Sequence, residues 1–503
     1  SSSVTDSCST GVSVVLGADL ASDWTLLVLV GRLEELRAAR DAAPFSSATA
    51  LPAAAAALDR LSASPDGTTS REASVEIDGQ WRRVVWVSLP KDCGRHNIPS
   101  HPSKLRIALK AIAPDAVTQV VCIAADKRLH ASMLLASARA FPAFSLKSAD
   151  AKPKVVHVTA ATPDGAIDAE AVLSLSHTAE SVRMTAALVD MPTSILHTDR
   201  FVEIATEVGK EAGATNVTVI AGTELRDRGF GGLWGVGKAS EHLPALVVLE
   251  YVGEGATAES PALVIVGKGI VYDTGGASLK GSTAMVGMKR DMGGAGAALG
   301  AFRALALDKC KRRVVAVLCI AENSLSKEST RPDDVLHMYS GKTVEVNNTD
   351  AEGRLVMADG AAYAVKHLNP GVIVDIATLT GAQGIATGKH FAAIYCNDDG
   401  LERLAVECGR QAGELVHPMP FAPELFRTEF HSDIADMKNS VADRANAQVS
   451  CAGQFVGNHL GDFLHTGKWL HVDIAYPSFY GARATGFGVG LLTALANAAE
   501  LPL

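Results

Sequence analysis

The pattern of apolar and polar positions along the chain predicts strands that alternate with helices. Short apolar runs without charge are typical of buried strands, whereas apolar positions three and four apart indicate helices. Apolar and polar residues alternate on either side of Asp78-Gly79, over residues 74–89, and this pattern predicts a hairpin. The other predicted strands of the first part are residues 11–16, 24–30, 118–124 and 154–158, and its predicted helices are residues 33–42, 46–57, 104–111 and 131–140.

The remainder of the chain repeats strand, helix and strand, which favours a mostly parallel sheet with helices on both faces. A helix over residues 169–191, ending before Pro192, is expected to join the two parts. The sequence therefore predicts an α/β fold in which a smaller N-terminal α/β domain (residues 1–168) precedes a larger α/β domain (residues 192–503) with a mostly parallel central sheet.

Composition and charge narrow the class of protein. The 503 residues are 48% hydrophobic and 20% charged, which is ordinary for a globular protein, and the net charge of −9 provides no general attraction to nucleic acid or to an anionic membrane. No apolar run reaches the roughly 18 residues of a membrane-spanning helix. Eight scattered cysteines without a CxxC pair predict reduced thiols and a cytoplasmic location. Because the chain begins at Ser1 and not at Met, a targeting segment could have been removed, so an organellar location stays open as an alternative.

A group of charged side chains with catalytic potential lies in residues 348–355, here called the acidic loop. This segment follows a predicted strand (343–347) and leads into a predicted helix (355–368). Asp350 and Glu352 lie two positions apart, and Arg354 follows. Loops at strand ends are where α/β proteins assemble chemistry, and both carboxylates could turn toward one cation. The simpler interpretation is a capped helix N-terminus.

A second cluster lies upstream in residues 267–280. The apolar strand predicted at residues 262–266 is expected to deliver Lys268 to its end, with Asp273 and Lys280 beyond it. Several glycines would let the backbone fold tightly there. Asp291 then precedes an Ala/Gly-rich helix and, taken alone, could be a helix cap. Acids and lysines at several element ends indicate one shared site.

Four carboxylates cannot crowd together unless cations neutralise them. Two divalent ions would balance Asp273, Asp291, Asp350 and Glu352, and paired metals about 3.5–4 Å apart are a recognised hydrolytic arrangement. Lys268 could add a neutral amine ligand, and a protonated Lys280 could stabilise oxyanion charge. The fork of Arg354 suits a small anion such as bicarbonate. Zn or Mn fits these ligands, and Co or Mg is possible.

These segments resemble the leucyl aminopeptidase family, the M17 peptidases, and the chain looks like a somewhat divergent branch of it. Asn-Thr-Asp-Ala-Glu-Gly-Arg-Leu, residues 348–355, matches that family's signature, and the resemblance covers residues 180–497. It implies that the first domain serves assembly and the larger one is catalytic. By motif, one metal would be held by Lys268, Asp273, Asp291 and Glu352, and the more exchangeable one by Asp273, Asp350 and Glu352. The implied catalytic residues are Lys280 and Arg354, and the implied substrate-binding residues are Ser278, Met288, Asn348, Thr378 and Gly381.

The resemblance implies a metal-dependent aminopeptidase that releases neutral or hydrophobic, leucine-like N-terminal residues from short peptides with a free N-terminus. It also implies a homohexamer, a dimer of trimers. Two alternatives stay open: a dipeptidase acting on Cys-Gly, and a DNA-binding or scaffold role with incidental peptidase activity. Tyr476-Pro477 and the loop at residues 436–444 depart from the family's common pattern, which leaves the side-chain preference open.

Three other patterns have simpler explanations. Residues 232–239 nearly spell a phosphate-binding loop, but Ala239 replaces the final Ser or Thr, so a structural turn is favoured. Cys93, His96 and His101 could bind zinc by spacing, although a plain loop is the better interpretation. His471, among apolar neighbours, is expected to be a hydrogen-bonded strand histidine.

Overall fold

The computed structural model describes residues 9–148 and 152–503, and the described chain divides into two compact units. The first unit contains the described residues up to Met184 together with Gly409–Leu415, and the second contains Thr185–Cys408 and Val416–Leu503. Among the described residues, no helix is both long enough and apolar enough to cross a membrane. The described cysteines are all free thiols, and Cys8 lies outside the described residues.

The first unit is built on a six-stranded sheet in the order β1-β6-β5-β2-β4-β3. Every neighbouring pair is parallel except the β3–β4 hairpin, whose turn places Asp78 and Gly79 in the left-handed region (φ 52° and 74°). Buried apolar side chains form a separate cluster on each face of this sheet. The strands are β1 (Val12–Leu16), β2 (Leu26–Gly31), β3 (Thr69–Ile77), β4 (Gln80–Ser88), β5 (Val117–Ile123) and β6 (Lys154–Ala161).

The helices of this region depart from the predicted pattern at two places. The tract at residues 46–57 forms two short helices because Pro52 cannot continue the first one. The helix predicted at residues 169–191 is likewise divided after Ser174. The helices are α1 (Leu33–Ala39), α2 (Ser46–Thr49), α3 (Pro52–Asp59), α4 (Pro102–Ala111), α5 (His130–Ala138), α6 (Ala169–Ser174) and α7 (Ser176–Asp190), with a 3₁₀ turn at Lys127–Leu129.

The second unit is built on an eight-stranded sheet in the order β15-β14-β17-β13-β9-β10-β8-β7. Its centre, β17-β13-β9-β10, is parallel, while β7, β8 and the β14–β17 pair introduce antiparallel neighbours. The strands are β7 (Asn216–Ala221), β8 (Ala245–Val252), β9 (Ala262–Asp273), β10 (Arg313–Asn323), β11 (Val335–His337), β12 (Thr343–Glu345), β13 (Pro370–Ala377), β14 (Ala392–Cys396), β15 (Val416–Pro418), β16 (Met437–Lys438), β17 (Lys468–Asp473), β18 (Phe479–Tyr480) and β19 (Arg483–Ala484).

Helices cover both faces of this sheet, as the sequence predicts. A Cβ on Gly267 would lie 2.6 Å from Ala295 Cα, whereas a Cβ on Gly360 would lie 3.0 Å from Val266. Residues 266 and 267 point to opposite faces of a strand, so the helices carrying Ala295 and Gly360 pack on opposite sides of β9. The helices are α8 (Thr198–Ala212), α9 (Thr223–Asp227), α10 (Gly231–Gly237), α11 (Ser282–Met285), α12 (Gly293–Leu307), α13 (Gly353–His367), α14 (Ala382–Ala386), α15 (Asp399–Ala412), α16 (Pro423–Phe426), α17 (Gln448–Gly457), α18 (Phe463–Thr466) and α19 (Val489–Asn497), with 3₁₀ turns at Met288–Arg290 and Arg427–Phe430.

Two predicted strands differ from those observed. The strand predicted at residues 262–266 continues to Asp273, because its pairing with β10 extends past the apolar run that ends at Val266. Lys268 therefore lies inside the strand, and Asp273 ends it. The strand predicted at residues 343–347 is shorter and belongs to a small separate sheet, β11-β12-β16, and not to the central one.

Candidate active site

The central strand β9 carries two of the predicted site residues into the interior. Both Lys268 and Asp273 are 3% exposed. Lys268 Nζ lies 2.9 Å from Asp291 Oδ2 and 3.0 Å from Glu352 Oε1, and it donates to the carbonyl of Thr378 at 3.1 Å. One buried ammonium thus joins three separate segments of the chain.

The turn after β9 brings Lys280 back over Asp273. Gly275 has φ 86°, and a Cβ there would lie 2.5 Å from the carbonyl oxygen of Ser278, so only glycine fits this turn. Lys280 Nζ lies 2.9 Å from Asp273 Oδ2 and 2.5 Å from Asp350 Oδ1. A second ammonium therefore links this turn to the acidic loop.

Asparagine amides hold these segments in place. Asn323, at the end of the neighbouring strand β10, donates through Nδ2 to Asp273 Oδ1 at 2.8 Å and to the carbonyl of Thr349 at 3.0 Å. Asn439 accepts from the amides of Asn347 (2.9 Å) and Asn348 (3.3 Å) and donates to the carbonyls of Asn348 (2.7 Å) and Ala351 (3.2 Å). All four hydrogen-bonding positions of this amide are therefore used by the acidic loop or the residue before it.

The remaining predicted groups converge on the same place. Thr378 Oγ1 donates to Asp291 Oδ1 at 2.9 Å. Glu352, 2% exposed, occupies the N-cap position of α13 but makes no side-chain cap hydrogen bond, so the simple capping interpretation does not describe it. Arg354 Nη1 donates to the carbonyl of Asn439 at 3.0 Å, and its buried Nε has no hydrogen-bond partner among the described residues.

The electrostatics are those of crowded like charges. Burial raises the pKa of Asp291 to about 6, and burial with the charge of Asp273 also raises the pKa of Asp350 and of Glu352. Burial opposes the ammonium of Lys268, but the surrounding carboxylates outweigh it and raise its pKa. Lys268 could therefore ligate a metal through its lone pair only where divalent cations displace its proton.

The donor set fits divalent cations. Asp273, Asp350 and Glu352 each offer a carboxylate oxygen, and these oxygens lie within 4.8 Å of one another. Asp291 Oδ2, Asp350 Oδ1 and Glu352 Oε1 are buried and contact ammonium groups, yet none of them accepts a directed hydrogen bond from a described residue. Buried hard oxygens of this kind are suitable ligands for a divalent metal.

A cavity of about 510 Å³ opens onto this cluster. Ser278 is not among the described residues that line it, because its hydroxyl accepts from the amide of Thr349 and so faces the acidic loop. The other four residues predicted to bind substrate do line the cavity: Met288, Asn348, Thr378 and Gly381.

Comparison with known proteins identifies the group to which this arrangement belongs. A family model described as the catalytic domain of the cytosol aminopeptidase family, Peptidase M17, matches residues 183–493. The chain belongs to this family. The predicted resemblance and α/β fold are confirmed, and the protein is an aminopeptidase, a hydrolase of the metallo-exopeptidase class.

Individual members of the cytosol aminopeptidase family match over most of the chain. "Probable aminopeptidase NPEPL1" of Homo sapiens is 49% identical over 424 residues, which are 83% of this chain and 80% of the relative. The structure of leucine aminopeptidase LAP1 from Caenorhabditis elegans superposes with a TM-score of 0.86 at 37% identity, covering 96% of this chain and 97% of the other. Leucyl aminopeptidase from Trypanosoma brucei, solved in complex with actinonin, gives 0.85 at 37% identity, covering 97% and 95%.

Sequence reasoning missed several residues that position the candidate site. Besides Asn323 and Asn439, Asp473 accepts from the amides of Leu379 and Ala475, both at 3.1 Å, and from Thr380 Oγ1 at 2.7 Å. The available signal was an uncompensated polar residue at the end of an apolar strand, which must find partners when buried. Apart from Ala475, the partners of Asp473 lie more than 90 positions away in sequence and could not be named.

The structure shows how the residues of the three other sequence patterns are placed. In the region resembling a phosphate loop, the amide of Leu233 donates to Asp359 Oδ2, so a carboxylate already occupies the N-terminus of α10. The three-ligand groups among the described residues do not include Cys93, His96 or His101. His471 is fully buried with Nδ1 2.5 Å from Asp375 Oδ1, while its Nε2 has no hydrogen-bond partner within the described segments.

Proposed function

We propose that this aminopeptidase releases leucine-like N-terminal residues from short peptides at the cluster around Lys268 and Lys280. The observation that carries the proposal is the convergence of four buried or half-buried carboxylates on a cavity large enough for a peptide end. Carboxylates packed this closely need compensating cations. The residues proposed to hold two divalent ions are Lys268, Asp273, Asp291, Asp350 and Glu352.

Zn or Mn is the proposed metal, with Co or Mg as possible substitutes, because the set combines carboxylate oxygens with one amine. Such ions, when bound, polarise a carbonyl and lower the pKa of bound water. The direct contacts between Lys268 and two of the proposed ligands, Asp291 and Glu352, support its place in the set.

Lys280 and Arg354 are the proposed catalytic residues. Lys280 lines the cavity, and nearby carboxylates raise the pKa of its ammonium against burial, so the group stays charged and can stabilise an oxyanion at the scissile carbonyl. Arg354 also lines the cavity, and its buried Nε lacks a hydrogen-bond partner among the described residues. A bicarbonate-like anion on this fork could carry a proton between water and the leaving amine.

The cavity wall supports a role for Met288, Asn348, Thr378 and Gly381 in binding the substrate. Ser278 is proposed to act indirectly, by holding Thr349 in the acidic loop. The domain roles follow the family resemblance: an N-terminal domain (1–168) for assembly, a linker helix (169–191) and a catalytic domain (192–503). A cytoplasmic homohexamer, a dimer of trimers, is proposed on the same resemblance, and its mass in solution tests it.

The decisive experiment is hydrolysis of leucine amide after exhaustive chelation, with each divalent metal then added back. We expect activity to vanish and to return with Zn or Mn. N-acetylated leucine amide should resist cleavage, and Cys-Gly tests the dipeptidase alternative. Asp350→Ala and Glu352→Ala should retain a folded circular dichroism spectrum but lose at least about a thousandfold in kcat/KM. A wild-type rate in either variant would remove the metal assignment.

A further inference from the structure

One wall of the cavity carries a cation that the proposed mechanism does not use. Arg290 ends the 3₁₀ turn Met288–Arg290 and lines the cavity. Its guanidinium carbon lies 3.4 Å from the centroid of the Phe479 ring. A Cβ on Gly287, which has φ 94°, would lie 3.0 Å from Arg290 Nη1 and 3.3 Å from its Cζ. The guanidinium is therefore held against an aromatic ring, at a place where the neighbouring backbone tolerates only glycine.

This cation differs from the others that line the cavity next to the carboxylates. Lys268 and Lys280 each contact two carboxylates, and Arg354 donates to a backbone carbonyl. The guanidinium of Arg290 makes neither a hydrogen bond nor an ion pair with any residue in the described part of the chain, and only its backbone amide is engaged, by the carbonyl of Gly287. The carboxylate of its neighbour Asp291 is already engaged by Lys268 and Thr378. The donors of Arg290 are thus available to a ligand in the cavity.

The fixed plane of the group limits what it can recognise. A guanidinium has five N–H donors in a rigid fork and no acceptor, and its geometry matches a carboxylate bidentately. Phe479 covers one face of the guanidinium and Gly287 leaves no room for a side chain beside it, so the N–H edge is the part of the group that can bind a ligand. Because the side chain is already confined, less conformational entropy is lost when it binds.

We propose that Arg290 is a specificity-determining residue that binds a carboxylate of the peptide substrate. This inference rests on the proposed function, because it assigns the substrate class of the same cavity. A peptide offers such a group in two places: the side chain of an N-terminal Asp or Glu, and the C-terminal carboxylate of a dipeptide. Either source places a planar anion near the scissile bond, and the experiment distinguishes them.

The test compares substrates that differ only in that charge. Glutamate amide is measured against glutamine amide, and Leu-Gly against Leu-Gly amide, with wild type, Arg290→Gln and Arg290→Lys. In Arg290→Gln we expect at least one acid-to-neutral ratio of kcat/KM to fall about 10- to 100-fold, the range for a lost hydrogen bond to a charged group. Arg290→Lys should lose less, because it keeps the charge without the fork. Arg403→Gln, on the exposed face of α15, is the matched control and should keep both ratios.

The ratio that falls identifies the source of the carboxylate. Unchanged ratios in Arg290→Gln, or an equal loss for all four substrates, would overturn the inference. An Arg290 side chain that only packs against Phe479 could not discriminate between charged and neutral substrates. Failure of the proposed function would appear differently, as absent hydrolysis of leucine amide in wild type with every metal. Thermal stabilisation by free glutamate relative to glutamine, lost in Arg290→Gln, would support binding of a side-chain carboxylate without turnover.

Discussion

The asparagine that holds the acidic loop provides the sharpest prediction. Replacing Asn439 by Ala removes the four hydrogen bonds of its side chain to Asn347, Asn348 and Ala351. Each buried hydrogen bond contributes about 0.5–1.5 kcal/mol net, and unpaired buried groups cost more. The residue is fully buried, so we expect the free energy of unfolding to fall by about 2–5 kcal/mol.

The same change should reduce catalysis more than stability alone would explain. Loss of the Asn439 hydrogen bonds lets the carboxylates of Asp350 and Glu352 shift, and a displacement of about 1 Å can cost about a hundredfold in rate. We expect kcat/KM for leucine amide to fall by about that factor at a temperature where the variant is folded. Asn439→Asp, which turns an oxygen toward two carbonyls, should be at least as damaging.

Urea unfolding and steady-state kinetics on the same samples check both effects. Asn216→Ala is the matched control, because Asn216 is exposed at the start of β7 and should change stability by less than about 0.5 kcal/mol. An Asn439→Ala variant with wild-type stability and wild-type kcat/KM would refute the role of Asn439 in holding the acidic loop.

Three further changes test other parts of the second unit. In Gly353→Ala the new Cβ would lie 2.6 Å from Lys268 Nζ, so kcat/KM should fall at least about tenfold while the circular dichroism spectrum is retained. In Gly360→Ala the Cβ would lie 2.4 Å from Cys319 Sγ, and the thermal midpoint should drop by an amount that corresponds to about 1–3 kcal/mol. Burial lowers the pKa of His459 to about 3, so below about pH 6.5 the unfolded chain binds a proton that the folded chain does not. Stability should therefore fall by about 1.4 kcal/mol per pH unit below pH 6.5, and His459→Gln should flatten that slope in urea titrations between pH 7 and pH 5; an identical slope would contradict the reasoning.

Local chemistry made much of the fold and of the candidate site predictable. The sequence predicts the β3–β4 hairpin because Asp78-Gly79 suits a turn with positive φ. It also predicts α13, whose apolar positions recur at helical spacing after the acidic loop. Acidic residues at element ends were recognisable because carboxylates rarely cluster without a cation.

What could not be predicted depends on pairing between distant segments. The apolar run that marks β9 stops before Lys268, yet hydrogen bonds to β10 carry the strand through to Asp273. The side-chain hydrogen bonds of Asn439 join residues separated by 88–92 positions, and an asparagine in a loop shows no sign of such partners. The break before Pro52 is hidden in the sequence by the high helix propensity of the surrounding alanines, although proline cannot continue the preceding helix.

The two ammonium bridges have a consequence for how this protein regains activity. Lys268 links Asp291 to Glu352 and Lys280 links Asp273 to Asp350, pairs that lie tens of residues apart along the backbone, so both links are complete only after distant segments have met. Helices can form early from local interactions without completing this cluster. During refolding from urea, recovery of peptidase turnover should therefore lag behind recovery of the helical circular dichroism signal, which makes turnover a reporter of long-range assembly.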